Sequence, residues 1–290
     1  MNHIIADNRV STIKAYLIGR LETIYENREA ANLTQILFEE FSGWTRTEVI
    51  LNAAQRVSES DLLRYHFALK RLMLGEPIQY VIGCGWFLDM KLHTSPAALI
   101  PRPETEELVH LIVDKNKIAK PRILDVGTGT GCIAIALKKQ IEESLVTAID
   151  ISLEAIELAA KNAAAHRTPL DLFQMDILAQ CPPGCFDVIV SNPPYIPQSE
   201  SYSMADGVTH FEPHVALFTS DTDSLIFYRR LMELSPILMA PGGFAACEIH
   251  ENSAMALLSM ASNYSITNPT IHRDMQGKDR MMTWEINSPV

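Results

Sequence analysis

Apolar residues recur every three or four positions through the first quarter of the chain. Ile13, Tyr16, Leu17, Leu21, Ile24 and Tyr25 fall on one helical face, and Leu33, Ile36, Leu37 and Phe41 repeat the pattern after a short break. Residues 48–54 and 61–73 give two more helical stretches, the second with Leu62, Tyr65, Leu69, Leu72 and Met73 on one side. No glycine or proline falls between Trp44 and Leu74, which suits helix interiors. Residues 1–74 are therefore expected to form a small bundle of four or five short helices. Gly75-Glu76-Pro77 breaks the pattern. Residues 77–83 and 85–92 then predict two strands around a Gly83-Cys84-Gly85 turn, a hairpin linker within residues 75–100. Pro101 and Pro103 hold an extended loop carrying Arg102 and Glu104, and a helix starts at Thr105.

From Arg122 onward short apolar runs alternate with helical periods. Strands are predicted at residues 123–126, 145–149, 170–174, 186–191 and 243–249, with helices at 132–140, 152–165, 224–239 and 252–262 between them. The tail around Ile271 and residues 281–286 adds a final antiparallel pair. Strand–helix alternation of this kind specifies an α/β fold, a mostly parallel seven-stranded sheet covered by helices on both faces, over residues 101–290.

Composition narrows the classes. A chain of 290 residues with 47% hydrophobic and 20% charged residues has material for two domains and a substantial core. The formal net charge of −11 argues against tight binding to a nucleic-acid backbone, which needs a basic footprint. Five scattered cysteines, Cys84, Cys132, Cys181, Cys185 and Cys247, outline no disulfide framework, and no second pair joins Cys181 and Cys185 into a zinc site. No metal is expected. The first seven residues lack a basic stretch followed by an apolar core, and no apolar run reaches membrane-spanning length. The expected compartment is the cytoplasm, with no membrane partner. His210 and His214 have metal-ligand spacing, but Pro213 between them makes them ordinary loop residues.

Two stretches carry candidate chemistry. Gly127-Thr128-Gly129-Thr130-Gly131 joins the first strand of the sheet to its first helix, where alternate glycines allow a tight turn and close ligand approach, and a helix start aims amide N–H groups at the same place. It lacks the spacing of a dinucleotide fingerprint and the Lys-Ser/Thr of a phosphate loop. Asp150 ends the next strand, placed either to hold ribose hydroxyls or to cap the following helix. Asp176, after the third strand, stands near an adenine site or is a plain loop aspartate. Together with Asp125 these residues describe a nucleoside pocket in acidic surroundings, suited to S-adenosylmethionine. The second stretch is Asn192-Pro193-Pro194-Tyr195 at the C-terminal end of the fourth strand. Two prolines stop the strand and stiffen a loop that offers carbonyl oxygens and one side-chain amide, a site able to grip a planar NH2 group or merely a proline-terminated strand end.

The glycine turn with Asp150 is similar to that of class I (Rossmann-like) methyltransferases, and Asn192-Pro193-Pro194-Tyr195 resembles the motif of enzymes that methylate planar amino groups. Pro77-Ile78-Gln79-Tyr80, residues 99–106, Glu212-Pro213 with Ala216-Leu217, and Lys278-Asp279-Arg280 resemble the release factor glutamine methyltransferase (HemK-type) family across about residues 75–286. The resemblance implies methyl transfer from S-adenosylmethionine, leaving S-adenosylhomocysteine, to the glutamine side-chain amide of the Gly-Gly-Gln tripeptide in peptide-chain release factors. It implies catalytic roles for Asn192, Pro193 and Tyr195, and substrate contacts from these with Pro194, Arg102 and Glu104. It places the cofactor on Gly127, Thr128, Gly129, Thr130, Gly131, Asp150, Asp176, Ile177 and Asn192, with no direct nucleic-acid binding. The helical N-terminal part is expected to recognise the substrate. This chain differs from the family pattern at residues 218–221 and 250–252, and carries Ile177 where an aromatic often stands. The alternatives are an adenine-N6 or other nucleic-acid amino methyltransferase, and a non-catalytic cofactor-binding module.

Overall fold

A computed structural model describes residues 7–203 and 206–286. The stretch of residues 1–6, on which the reading of the N-terminus rests, lies outside the described residues. The chain divides into two compact units, one of Met1–Gly83 with Asp206–Phe211 and one of Cys84–Ala205 with Glu212–Val290.

The first unit is helical: α1 (Val10–Leu21), α2 (Asn27–Ser42), α3 (Arg46–Leu51), α4 (Glu59–Leu72) and α5 (Ile78–Ile82). Val10, Ile13, Leu17 and Leu21 bury one stripe of α1 against Leu33, Leu37 and Phe38 of α2 and Tyr65, Leu69 and Leu72 of α4. Thr45 and Glu48 close a capping box on α3, and Ser58 caps α4. The strand expected at residues 77–83 is α5 instead. Arg71 explains why. Its guanidinium donates to the carbonyls of Tyr80 and Val81, at 2.9 and 3.0 Å, and pairs with Glu76. Gly83 ends the turn at φ 75°. These tertiary partners outweigh the strand preference of Ile78, Val81 and Ile82.

The second unit opens with a hairpin, β1 (Cys84–Phe87) and β2 (Met90–His93), one strand later than the sequence pattern placed it. Phe87, Met90 and Leu92 are buried in this unit's core, so the hairpin is part of it rather than a linker. Helix α6 (Pro103–Lys115) begins at Pro103, whose missing N–H needs no partner at a first helical position. Glu104 therefore lies in the helix, not on the preceding loop. The main elements follow as β3 (Arg122–Val126), α7 (Cys132–Gln140), β4 (Leu145–Asp150), α8 (Leu153–Ala165), β5 (Asp171–Gln174), β6 (Phe186–Ser191) and β7 (Ile196–Pro197). Two short helices, α9 (Asp206–Phe211) and α10 (His214–Leu217), take up the expected loop, so His210 and His214 sit on separate helices. Then come β8 (Phe218–Thr219), α11 (Ile226–Leu238), β9 (Met239–Glu248), α12 (Ala254–Ala261), β10 (Ile266–Arg273) and β11 (Asp279–Ile286).

The seven-stranded sheet runs β10-β11-β9-β6-β3-β4-β5, parallel except where β11 pairs with β9 and β10. Side chains alternate between two cores. Ile123, Val188 and Val190 face α6, α7 and the hairpin, while Leu124 and Ile189 face α11 and α12. Trp284 on β11 is fully buried, and its indole N–H donates to Ser235 Oγ of α11 at 2.9 Å. The chain reverses direction across the sheet between β3 and β6, and ligands bind such parallel sheets at that switch point. No described helix is long and apolar enough to cross a membrane.

Candidate active site

Parallel pairing lines up the C-terminal ends of three strands. Val126 of β3 is opposite Ile149 of β4 on one side and Ser191 of β6 on the other. The loops that leave these ends enclose a cavity of about 290 Å³ within the second unit. Its wall takes in residues 97–102 and Thr105, the turn of residues 127–130, residues 149–152, residues 175–178, and residues 191–194. Ser191 Oγ donates to the Val126 carbonyl at 2.7 Å, tying the glycine turn to the start of the Asn192 loop.

The glycine turn is wound by its own amides. Gly127 and Thr128 both donate to the Ile149 carbonyl, Gly129 donates to Asp150 Oδ2 at 2.9 Å, and Gly131 donates to the Thr128 carbonyl. The amides of Gly127, Thr128, Gly129 and Gly131 are thus spent inside the fold and hold the turn in shape. All three glycines have positive φ. A Cβ on Gly131 would stand 3.2 Å from Ala159 Cβ, so close helix packing fixes that position as well.

Charge in the cavity is mostly negative. Asp125 is fully buried; burial pushes its carboxyl up to about 7, against the hydrogen bond that Thr128 Oγ1 donates at 2.7 Å. The Ala134 backbone amide opposes the rise as well. Asp150 is also pushed up by burial, opposed by the amides of Ser152 and Gly129. Both of its oxygens are engaged, one by Gly129 and one by Ser152, and each keeps a lone pair for a hydroxyl. It therefore serves the turn and the α8 start, where Ser152 itself caps the helix. Among the described lining residues Arg102 is the only cation, and it is paired: its Nη2 donates to Glu212 Oε1 at 2.6 Å. Glu212 is buried and also accepts from the Ile100 amide. Such a cavity fits a cationic nucleoside and does not fit a polyphosphate. Asp176 lines it while accepting from the Leu178 amide, and Ile177 presents a buried aliphatic wall.

The opposite wall is held by side chains. Asn192 Nδ2 donates to Thr105 Oγ1 at 3.1 Å, and Thr105 Oγ1 donates to Glu248 Oε2 at 2.7 Å. The Tyr195 hydroxyl donates to Glu248 Oε1 at 3.1 Å. Burial pushes Tyr195 well above its ordinary value, with the Glu248 charge adding to the shift, so the hydroxyl stays a donor. Burial raises Glu248 too, opposed by the Thr105 and Tyr195 hydroxyls and by the Arg280 charge. Arg280 in turn donates to Asp274 Oδ2 at 3.1 Å.

The structure thus gathers Asn192, Pro193, Pro194, Arg102, residues 127–130 of the glycine turn, Asp150, Asp176 and Ile177 around one cavity. Gly131, Tyr195 and Glu104 do not line it; Gly131 packs against Ala159 instead. Tyr195 braces the loop from behind through Glu248, its ring 6.0 Å from that of His250. Sequence reasoning gave no role to Thr105, Glu212, Glu248 or Arg280, although Thr105, Glu212 and Arg280 stand in stretches that carried the family resemblance and Glu248 stands just before the divergent residues 250–252. The divergent Phe218-Thr219 pair forms β8, which pairs in parallel with β7 just beyond Tyr195. No three His, Cys, Asp or Glu residues come together as a metal ion would require, among the described residues.

Comparison with known proteins adds the lineage. The family described as PrmC N-terminal domain matches residues 15–83, and the methyltransferase small domain matches residues 105–211. The chain is 34% identical over 278 residues to the release factor glutamine methyltransferase of Flavobacterium psychrophilum, covering 94% of this chain and 98% of that one. The protein of the same name from Bacteroides thetaiotaomicron is 35% identical over 276 residues, with 94% and 99% covered. A solved methyltransferase structure from Pyrococcus furiosus shares the fold at a TM-score of 0.52 and 18% identity, over 69% of this chain and 90% of that one. With its helical first unit, its seven-stranded sheet and its acidic cavity at the switch point, the chain belongs to the release factor glutamine methyltransferase family.

Proposed function

We propose that this protein transfers a methyl group from S-adenosylmethionine to the side-chain amide nitrogen of the glutamine in the Gly-Gly-Gln tripeptide of peptide-chain release factors. One observation carries the reading: among the described residues, Asn192 is the only side-chain amide lining the cavity, and it does so together with Pro193, the turn of residues 127–130 and Asp150. The bound cofactor supplies an electrophilic methyl group on a sulfonium; the acidic turn side, with Asp150 for the ribose and Asp176 and Ile177 by the base, would hold it.

The chemical difficulty is the nucleophile, because an amide nitrogen shares its lone pair with its carbonyl. Asn192 Oδ1 and the Pro193 carbonyl would each accept one N–H of the substrate amide. Two acceptors fix the nitrogen's plane and favour its pyramidalisation as it attacks. Fixing the reactants in this way is worth about 7–11 kcal/mol of the barrier in well-aligned cases. The same oxygens stabilise the positive charge that grows on nitrogen. No strong base is required, since an N-methylated amide cation sheds its proton to water. Arg102, held by Glu212, lines the same cavity and would meet the substrate backbone.

The test is direct. Purified protein, cofactor and release factor are incubated, and the glutamine-containing peptide is examined by mass spectrometry for the increment of one methylene group. Labelled DNA and RNA run in parallel. Methylation of nucleic acid with none on the glutamine would replace this reading by that of an amino methyltransferase acting on bases.

A further inference from the structure

We infer that Thr105 and Glu248 are positioning residues that fix which end of the Asn192 amide faces the cavity, and so make the site an acceptor for N–H groups. The inference rests on the role proposed for Asn192. A carboxylate only accepts hydrogen bonds, and a hydroxyl has one proton to give. Thr105 gives that proton to Glu248 Oε2 at 2.7 Å. Its oxygen is then left with lone pairs only, and the group that meets them, at 3.1 Å, has to be a donor: the NH2 end of Asn192. Oδ1 is thereby turned away from Thr105.

The reversed amide would set two acceptors against each other. Relief would mean drawing the Thr105 proton away from Glu248, a carboxylate only 2% exposed that would then lose a hydrogen bond in a buried setting. Glu248 cannot swing to compensate, because Tyr195 engages its other oxygen. The Arg280 charge, placed beside Glu248, favours the ionised acceptor form against the cost of burial. Polarity therefore passes from Glu248 through Thr105 to Asn192. A wall that shows only acceptors admits a carboxamide NH2 and rejects a carboxylate, so the pair also contributes to the choice of glutamine over glutamate.

Thr105→Val keeps the shape and removes the hydroxyl. Its kcat on release factor is expected to fall about 10- to 100-fold, the loss of one oriented hydrogen bond to a buried charge. Cofactor affinity, measured by calorimetry, should stay within about twofold. Thr105→Ser should recover most of the lost rate. On an Asn192→Ala background Thr105→Val should cost nothing further, which a merely structural role would not predict. Should Thr105→Val fold poorly, Glu248→Gln serves: it brings an N–H into the network, deprives one hydroxyl of its acceptor, and should lower kcat at least about fivefold with cofactor affinity retained. Either variant keeping kcat within about twofold, or a full additional loss on the Asn192→Ala background, overturns the inference. If Asn192→Ala itself retains turnover, the reading of Asn192 fails instead, so the two failures are distinct.

Discussion

The two walls of the cavity are built by different means. The turn side is contiguous: Gly127, Thr128, Gly129 and Gly131 bond to one another, to Ile149 and to Asp150, all within two consecutive strand ends. The acceptor side is assembled from afar. Asn192 leans on Thr105, 87 positions away, and Thr105 leans on Glu248, 143 positions away. One wall is a backbone conformation that glycine permits; the other is a chain of side-chain proton donors and acceptors. Binding of the cofactor and orientation of the acceptor are thus separable, and substitutions on one side should leave the other intact.

Asn192→Ala tests that separation most severely. Its turnover should fall by at least about 10³-fold, comparable with the removal of a polar group that acts on the developing charge. Cofactor affinity should fall far less, and near-normal turnover would remove Asn192 from the chemistry. Asp150→Ala is the mirror case. Two hydrogen bonds to the ribose would be lost, together with the anchor of the Gly129 amide, so the dissociation constant for cofactor should rise about 10²-fold. At saturating cofactor kcat should hold within about fivefold, and a collapse of kcat with unchanged affinity would invert the comparison.

A smaller effect appears in stability. Asp125 titrates at 3.8 when unfolded and about 7 when folded. Between those values the folded state binds the extra proton, so stability falls as pH rises, by at most ~1.4 kcal/mol per pH unit for one such site, and the slope vanishes outside that window. Asp125→Asn should flatten the fall, read by denaturant unfolding of the ligand-free protein at a series of pH values. An unchanged slope would show that the buried carboxyl is not its source.

The contrast also explains what could be read in advance. Helical periodicity and strand–helix alternation found the bundle and the sheet because each is a local pattern that burial reinforces. The glycine turn, Asp150 and Asn192 were legible for the same reason: they sit at strand ends, where a parallel sheet places its ligands. Residues 77–83 misled because their β-branched content is local, whereas the Arg71 guanidinium that stabilises α5 comes from the preceding helix. Glu104 was assigned to the loop because the helix was started two residues late, whereas Pro103 opens α6 rather than delaying it. The bonds that hold the turn to Ile149 and Asp150 were not legible, because those partners emerge only with the sheet register. Thr105 and Glu248 could not be paired from sequence, as nothing in spacing or composition relates the inner face of α6 to the end of β9.

The hydrogen bond from Ser191 to the Val126 carbonyl has a metric consequence. The two loops that would carry donor and acceptor leave adjacent strands, whose separation in any sheet is about 4.8 Å. Their spacing is set by the same ladder that holds the sheet together, and no hinge intervenes between them. The sheet acts as a fixed gauge between the two reactants: an acceptor that reaches to the depth the gauge allows meets the methyl group, and one that is a bond too short or too long finds no slack to make up the difference.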